Sequence, residues 1–66
     1  MVTEVKKHNG RELTIEIIDC YDWTRDYNYF SVYVAIKKDY QRYDVGKAPN
    51  IPAARVKANN WIINNL

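Results

Sequence analysis

Ten residues constrain this chain more than any others: Tyr27 to Ile36, YNYFSVYVAI, in which apolar side chains alternate with tyrosines and small polar groups. Successive side chains of a strand point to opposite faces, so Phe30, Val32, Val34 and Ile36 share one face while Tyr27, Tyr29, Ser31, Tyr33 and Lys37 share the other. Aromatic and β-branched residues pack well on a pleated surface, so propensity and period agree on a strand. Its apolar face demands a second layer that excludes water. Its tyrosine face is left for solvent or a ligand.

Two more strands precede it. Arg11 to Cys20 sets Leu13, Ile15 and Ile17 on one face and Glu12, Thr14, Glu16 and Ile18 on the other. Val2 to Lys7 is a weaker strand, supported by the turn signal His8-Asn9-Gly10. As a three-residue loop, this turn places Val5 opposite Leu13 and Lys6 opposite Glu12, an apolar pair and an opposite-charge pair. A two-residue Asn-Gly turn places Lys6 opposite Leu13 instead, and the longer loop is the expectation. Between Cys20 and Asn28, the short side chains of Asp22, Asp26 and Asn28 bond nearby backbone more readily than they join ladders. A loop with Trp23 near its tip follows, and Trp23 reads either as a lid folded back over the core edge or as an exposed anchor.

After the central strand, Asp39 marks a short turn, and Gln41 to Val45 reads as a short edge strand that adds Tyr43 and Val45 to the apolar face. Gly46 to Pro49 breaks the sheet pattern. Asn50 is a good N-cap and Pro52 fits a first helical turn, where a missing N–H costs no intrahelical bond, so Ile51 to about Asn65 reads as the one helix. At 100° per residue, Ile51, Ala54, Ala58, Trp61, Ile62 and Leu66 form one stripe, with Lys57, Asn60 and Asn64 on the solvated side. The resulting fold class is α+β: a three- or four-stranded antiparallel β-meander with one C-terminal α-helix packed on one face.

At 66 residues the chain is a single domain, and a domain of this size buries only roughly 60% of the surface its unfolded chain exposes. An apolar fraction of 47% is enough to fill one compact core without a metal or a disulfide. Cys20 has no second cysteine to bridge, His8 stands apart from any Cys/His cluster, and the acids Asp19, Asp22 and Asp26 lack the spacing and the glycine of a calcium loop. The expectation is therefore no metal and no cofactor. Neither a membrane span nor a signal segment is legible, which points to a cytoplasmic protein with no membrane partner. From Val45 onward the chain carries Lys47, Arg55 and Lys57 and no acid, so this third is +3 and the remainder, out of +2 overall, is −1.

No nucleophile and base, paired carboxylates or metal constellation can be assembled from these residues, so the protein is expected not to be an enzyme. Binding is the remaining class. Tyr27, Tyr29 and Tyr33 with Lys37 place flat rings beside a cation, as a platform for unpaired bases requires. The same row suits a protein partner or a homodimer, because tyrosine offers large contact area at low entropic cost. Ordinary strand propensity accounts for such a row equally well. Trp23 and Arg25 in the loop, Arg42 on the edge strand and Lys47 near the helix start complete the candidate binding set.

From Phe30 onward the order VYV, a basic turn, Arg42, Gly46, then Ala54, Ala58 and Trp61 resembles the arm-site DNA-binding domain of phage and transposon integrases. The resemblance covers about half the chain. It implies a three-stranded sheet laid in the major groove and backed by a C-terminal helix, with Tyr29, Tyr33, Lys37 and Arg42 at the groove-facing positions. The basic C-terminal third and this layout favour nucleic acid as the partner. A protein-interaction module, either a homodimer pairing through Gln41 to Val45 or an accessory or inhibitory protein of a mobile element, is the alternative.

Overall fold

The computed structural model describes residues 1–37 and 41–66. Four strands, β1 (Val2–His8), β2 (Arg11–Asp22), β3 (Tyr27–Ile36) and β4 (Gln41–Ala48), form one antiparallel sheet in the order β1-β2-β3-β4, and one helix, α1 (Ile51–Asn65), packs on one face. This is the α+β meander that the alternation demands. The turn assigned to Asp39 lies outside the described residues.

The first hairpin departs from expectation. His8 pairs with Arg11, so Asn9 and Gly10 alone make the turn, both at positive φ (51° and 78°). A two-residue turn of this hand matches the right-handed twist of the flanking strands, and Asn-Gly tolerates it best. Lys6 consequently stands opposite Leu13 and Val5 opposite Thr14, in place of the pairs Lys6/Glu12 and Val5/Leu13. Charges on the helix side of the sheet are accommodated because β1 lies at its edge. Glu4 meets Arg55 of α1 at 3.1 Å, and Lys6 donates to Asn59.

At the other edge, β4 continues to Ala48 instead of stopping at Val45. Gly46 faces Val32 while Asp44 faces Tyr33, so Val45 is an inserted residue and the ladder carries a β-bulge. The insertion changes the parity: Tyr43 and Ala48 both reach the core side. Gly46 has two reasons to be glycine. Its φ is +122°, and a Cβ there would lie 3.1 Å from Cε of Lys57, which crosses it to donate to the Lys47 carbonyl at 2.8 Å.

The core joins Leu13, Ile15 and Ile17 of β2 to Val32, Val34 and Ile36 of β3, with Ala48 of β4 and Ala54, Ala58 and Ile62 of α1. Asn50 caps the helix, accepting the Ala53 N–H at 2.8 Å, and Pro52 lies in the first turn. Three rows along the helix do different work. Ala54, Ala58 and Ile62 lie against the sheet, Arg55 and Asn59 flank β1, and Lys57 and Trp61 flank β4. Lys57 is exposed, as expected, and from the solvated side its ammonium reaches the β4 backbone. Trp61 is half-buried, its ring 5.1 Å from that of Tyr43.

Candidate functional site

Among the described residues, the helix covers one side of the sheet and nothing covers the other. Pairing registers decide what that bare side carries. Lys7, Glu12 and Lys37 lie in line at one end; Val5, Thr14, Ala35 and Arg42 come next, followed by Thr3, Glu16, Tyr33 and Asp44. Beyond these lie Ile18, Ser31 and Lys47, then Cys20 and Tyr29, and finally Asp22 and Tyr27. Every one of these side chains follows from strand parity, with the bulge keeping Lys47 on this side.

Local electrostatics tie the tyrosines to cations and the cations to acids. The guanidinium carbon of Arg42 lies 3.9 Å from the Tyr33 ring centre, and the same side chain reaches Glu16 at 3.5 Å. Lys47 sits 4.8 Å from the Tyr29 ring centre. Lys37 pairs with Glu12 at 3.5 Å. Such contacts hold each ring by quadrupole attraction while leaving the pairs solvated, so they order the face more than they stabilise the fold. Tyr29 is half-buried, and its phenol is pushed above the usual tyrosine range, first by burial and then by the neighbouring Cys20 thiol. Cys20 is also half-buried, with Sγ 3.3 Å from Ser31 Oγ.

The β2–β3 loop is built on Asp22. Its Oδ1 accepts from the Thr24 hydroxyl (2.6 Å), the Thr24 amide (2.9 Å) and the Arg25 amide (3.2 Å), while its carbonyl accepts the Asp26 N–H at 2.8 Å. The Thr24 hydroxyl holds the Asp22 carboxyl below the usual carboxylate range, helped by both amides and opposed by burial. Asp26, at φ 55°, closes the loop. Trp23 is not a lid: it is 86% exposed at the tip, edge-on to Tyr21 with ring centres 4.9 Å apart. The physical reason is length. Strand β2 runs on to Asp22 and carries the loop to an end of the hairpin where Tyr21 to Asn28 include no buried residue.

The candidate residues therefore fall into two groups. Tyr27, Tyr29, Tyr33, Lys37, Arg42 and Lys47 lie together on the bare face, while Trp23 and Arg25 stand apart at the hairpin tip. Lys47, Arg55 and Lys57 do not gather into a basic patch. Arg55 turns to Glu4, Lys57 to the Lys47 carbonyl and Lys47 to Tyr29. Tyr21 lies one residue past the Cys20 end that the sequence predicts for β2, and the strand continues through it to Asp22. Alternation assigns Ser31 to the tyrosine face and Ile18 to the outer face of β2, and the register joins them with Cys20 in the middle of one surface. A shallow depression lined by Tyr27, Tyr29, Lys47, Ala48 and Pro49 is too open to enclose a small molecule. Among the described residues no group of three His, Cys, Asp or Glu side chains converges to hold a metal, and no helix is long and apolar enough to cross a membrane. No protein-family model, curated protein or solved structure matches the chain.

Proposed function

We propose that this chain is a small non-catalytic binding module that engages a protein partner through the bare face of its sheet. The distribution of chemistry across that face carries the reading. Its middle holds Thr14, Ala35, Ile18, Ser31, Cys20, Tyr29 and Tyr33, and the one charge among them, Glu16, is occupied by Arg42. Around them stand Lys7, Glu12, Lys37, Arg42, Asp44, Lys47 and Asp22. A charge-poor aromatic centre inside a polar rim of both signs is the anatomy of a protein interface, where tyrosines in the centre carry much of the binding energy.

Nucleic acid is the second reading, supported by the pairing of Tyr29 with Lys47 and Tyr33 with Arg42, a ring and a cation at each of two positions. The integrase-like layout rests on four side chains of the same face, Tyr29, Tyr33, Lys37 and Arg42. Two observations weigh against it. Among the described residues, the carboxylates of the face (Glu12, Glu16, Asp22 and Asp44) balance its cations (Lys7, Lys37, Arg42 and Lys47), so counterion release offers little gain. Arg42 also covers the Tyr33 ring on which a base would stack.

Capture from a native lysate at low and high salt, alongside titration with single- and double-stranded oligonucleotides, separates the two. The expected result is a protein partner retained at high salt, lost on Tyr29→Ala/Tyr33→Ala and kept on Arg25→Ala. Oligonucleotide binding that falls steeply with salt, without a salt-resistant protein partner, overturns the proposal in favour of nucleic acid.

A further inference from the structure

The two edges of the sheet are not equally guarded. Along β4, a bulge at Val45, the Lys57 ammonium on the Lys47 carbonyl and Pro49 just beyond the strand all obstruct a further strand. Strand β1 has none of these: seven residues, VTEVKKH, pair with β2 in unbroken register, without glycine, proline or bulge.

The turn identifies which backbone groups of β1 point outward. In a two-residue hairpin the closing pair, here His8 and Arg11, exchanges hydrogen bonds, and bonded and non-bonded pairs then alternate. Lys6, Glu4 and Val2 are therefore bonded to β2, whereas Lys7, Val5 and Thr3 direct N–H and C=O away from the sheet. A second strand can satisfy these groups only if Thr3, Val5 and Lys7 face their like-parity counterparts.

We propose that β1 is a homodimer edge, in which it pairs antiparallel with β1 of a second copy about a two-fold axis at Val5. This register overlaps the whole strand, since Val5 is the middle residue of Val2–His8. Val5 meets its own copy, Thr3 meets Lys7 of the second copy, and Glu4 meets Lys6 of the second copy twice over by symmetry. The neighbouring registers of the same parity are centred on Glu4 or Lys6 and set glutamate against glutamate or lysine against lysine. Charge selects Val5 as the centre. Val5, an apolar side chain 68% exposed on the bare face of the isolated chain, becomes a cross-strand pair at the centre of an eight-stranded sheet. The axis is normal to the sheet, so both helices lie on one side and the two bare faces join into one surface. Glu4 keeps Arg55 while gaining the second copy's lysine. The inference is independent of what the bare face binds.

Sedimentation velocity over a wide concentration range tests it. The expected result is a reversible monomer–dimer equilibrium that Val5→Pro abolishes while leaving the circular dichroism unchanged, because the N–H removed is not part of the β1–β2 ladder. Glu4→Lys and Lys6→Glu singly should each weaken dimerisation about tenfold or more, and the double variant Glu4→Lys/Lys6→Glu should restore it. This charge exchange decides the matter if Val5→Pro fails to fold. A protein that stays monomeric throughout, a dimer indifferent to Val5→Pro, or a double variant no better than the singles overturns the proposal.

Discussion

Arg42 lies over Tyr33, its guanidinium carbon 3.9 Å from the ring centre, and also reaches Glu16 at 3.5 Å. The two contacts fix a β4 side chain across β3 to β2 on a face with no covering layer. Since Arg42 is half exposed, each contact is screened by solvent. A double-mutant cycle with Arg42→Ala and Tyr33→Phe, read by urea unfolding, should return a coupling near zero, because phenylalanine retains the ring face. Arg42→Ala with Tyr33→Leu should return about 0.5–1 kcal/mol.

Gly46 should be the least replaceable residue of β4. A side chain there meets both an unfavourable φ of +122° and Lys57 Cε at 3.1 Å. Gly46→Ala is expected to cost about 1–3 kcal/mol in chemical denaturation. Adding Lys57→Ala removes the steric part alone, so the double variant should stay less stable than Lys57→Ala by itself.

Asp22 gives the loop a pH dependence of known sign. Its native carboxyl titrates below the usual value because the charged form accepts from the Thr24 hydroxyl and two amides. The stability it contributes is present above the unfolded-state value of about 3.9 and is lost as pH falls through the lower native one. NMR titration of the Asp22 carboxyl should show this depression, and Thr24→Ala should relax it toward the ordinary range. A native value at or above that of the unfolded chain would contradict the loop geometry.

The helix seat is set by small residues. Ala54 and Ala58 are fully buried between α1 and the sheet, so Ala58→Leu should overpack the layer and cost about 1–3 kcal/mol or more. Trp61→Ala, at a half-buried flank position against Tyr43, should cost less than the roughly 3–5 kcal/mol of a fully buried aromatic. Thermal unfolding of both variants tests the order.

Capping makes a further prediction for the same helix. Asn50→Ala removes the acceptor of the Ala53 N–H and should cost about 0.5–2 kcal/mol, whereas Asn50→Asp should be nearly neutral. Helix content followed by circular dichroism during thermal unfolding distinguishes the two.

Much of this architecture was legible from local rules. Alternation in Tyr27 to Ile36 and in Leu13 to Ile17 assigned each side chain to a face, because a strand's period of two admits no other arrangement. Asn50 and Pro52 located the helix start, since capping and a missing N–H are properties of a single turn. The composition of the candidate face was equally local: once Tyr29 and Tyr33 are on a strand with Val32, they lie opposite the core.

What only the tertiary structure decided was which neighbours those faces acquire. Whether the first turn uses two residues or three shifts every β1 pair, and the sequence offered an apolar pair for the longer loop. The two-residue turn prevails because its twist suits the strands and because Arg55 and Asn59, more than 50 positions away, receive the charges it turns toward the helix. The bulge at Val45 likewise appears only in the pairing of β4 with β3, and no period within β4 encodes it or the crossing of Lys57 over Gly46. The exposure of Trp23 follows from the reach of the β2–β3 hairpin to Asp22 and Tyr27, beyond the buried residues of the core. Side-chain alternation is fixed by bonds along the chain, so the sequence determined it alone; register, parity after a bulge and the pairing of Tyr29 and Tyr33 with cations depend on residues that meet only when the sheet and helix close on each other.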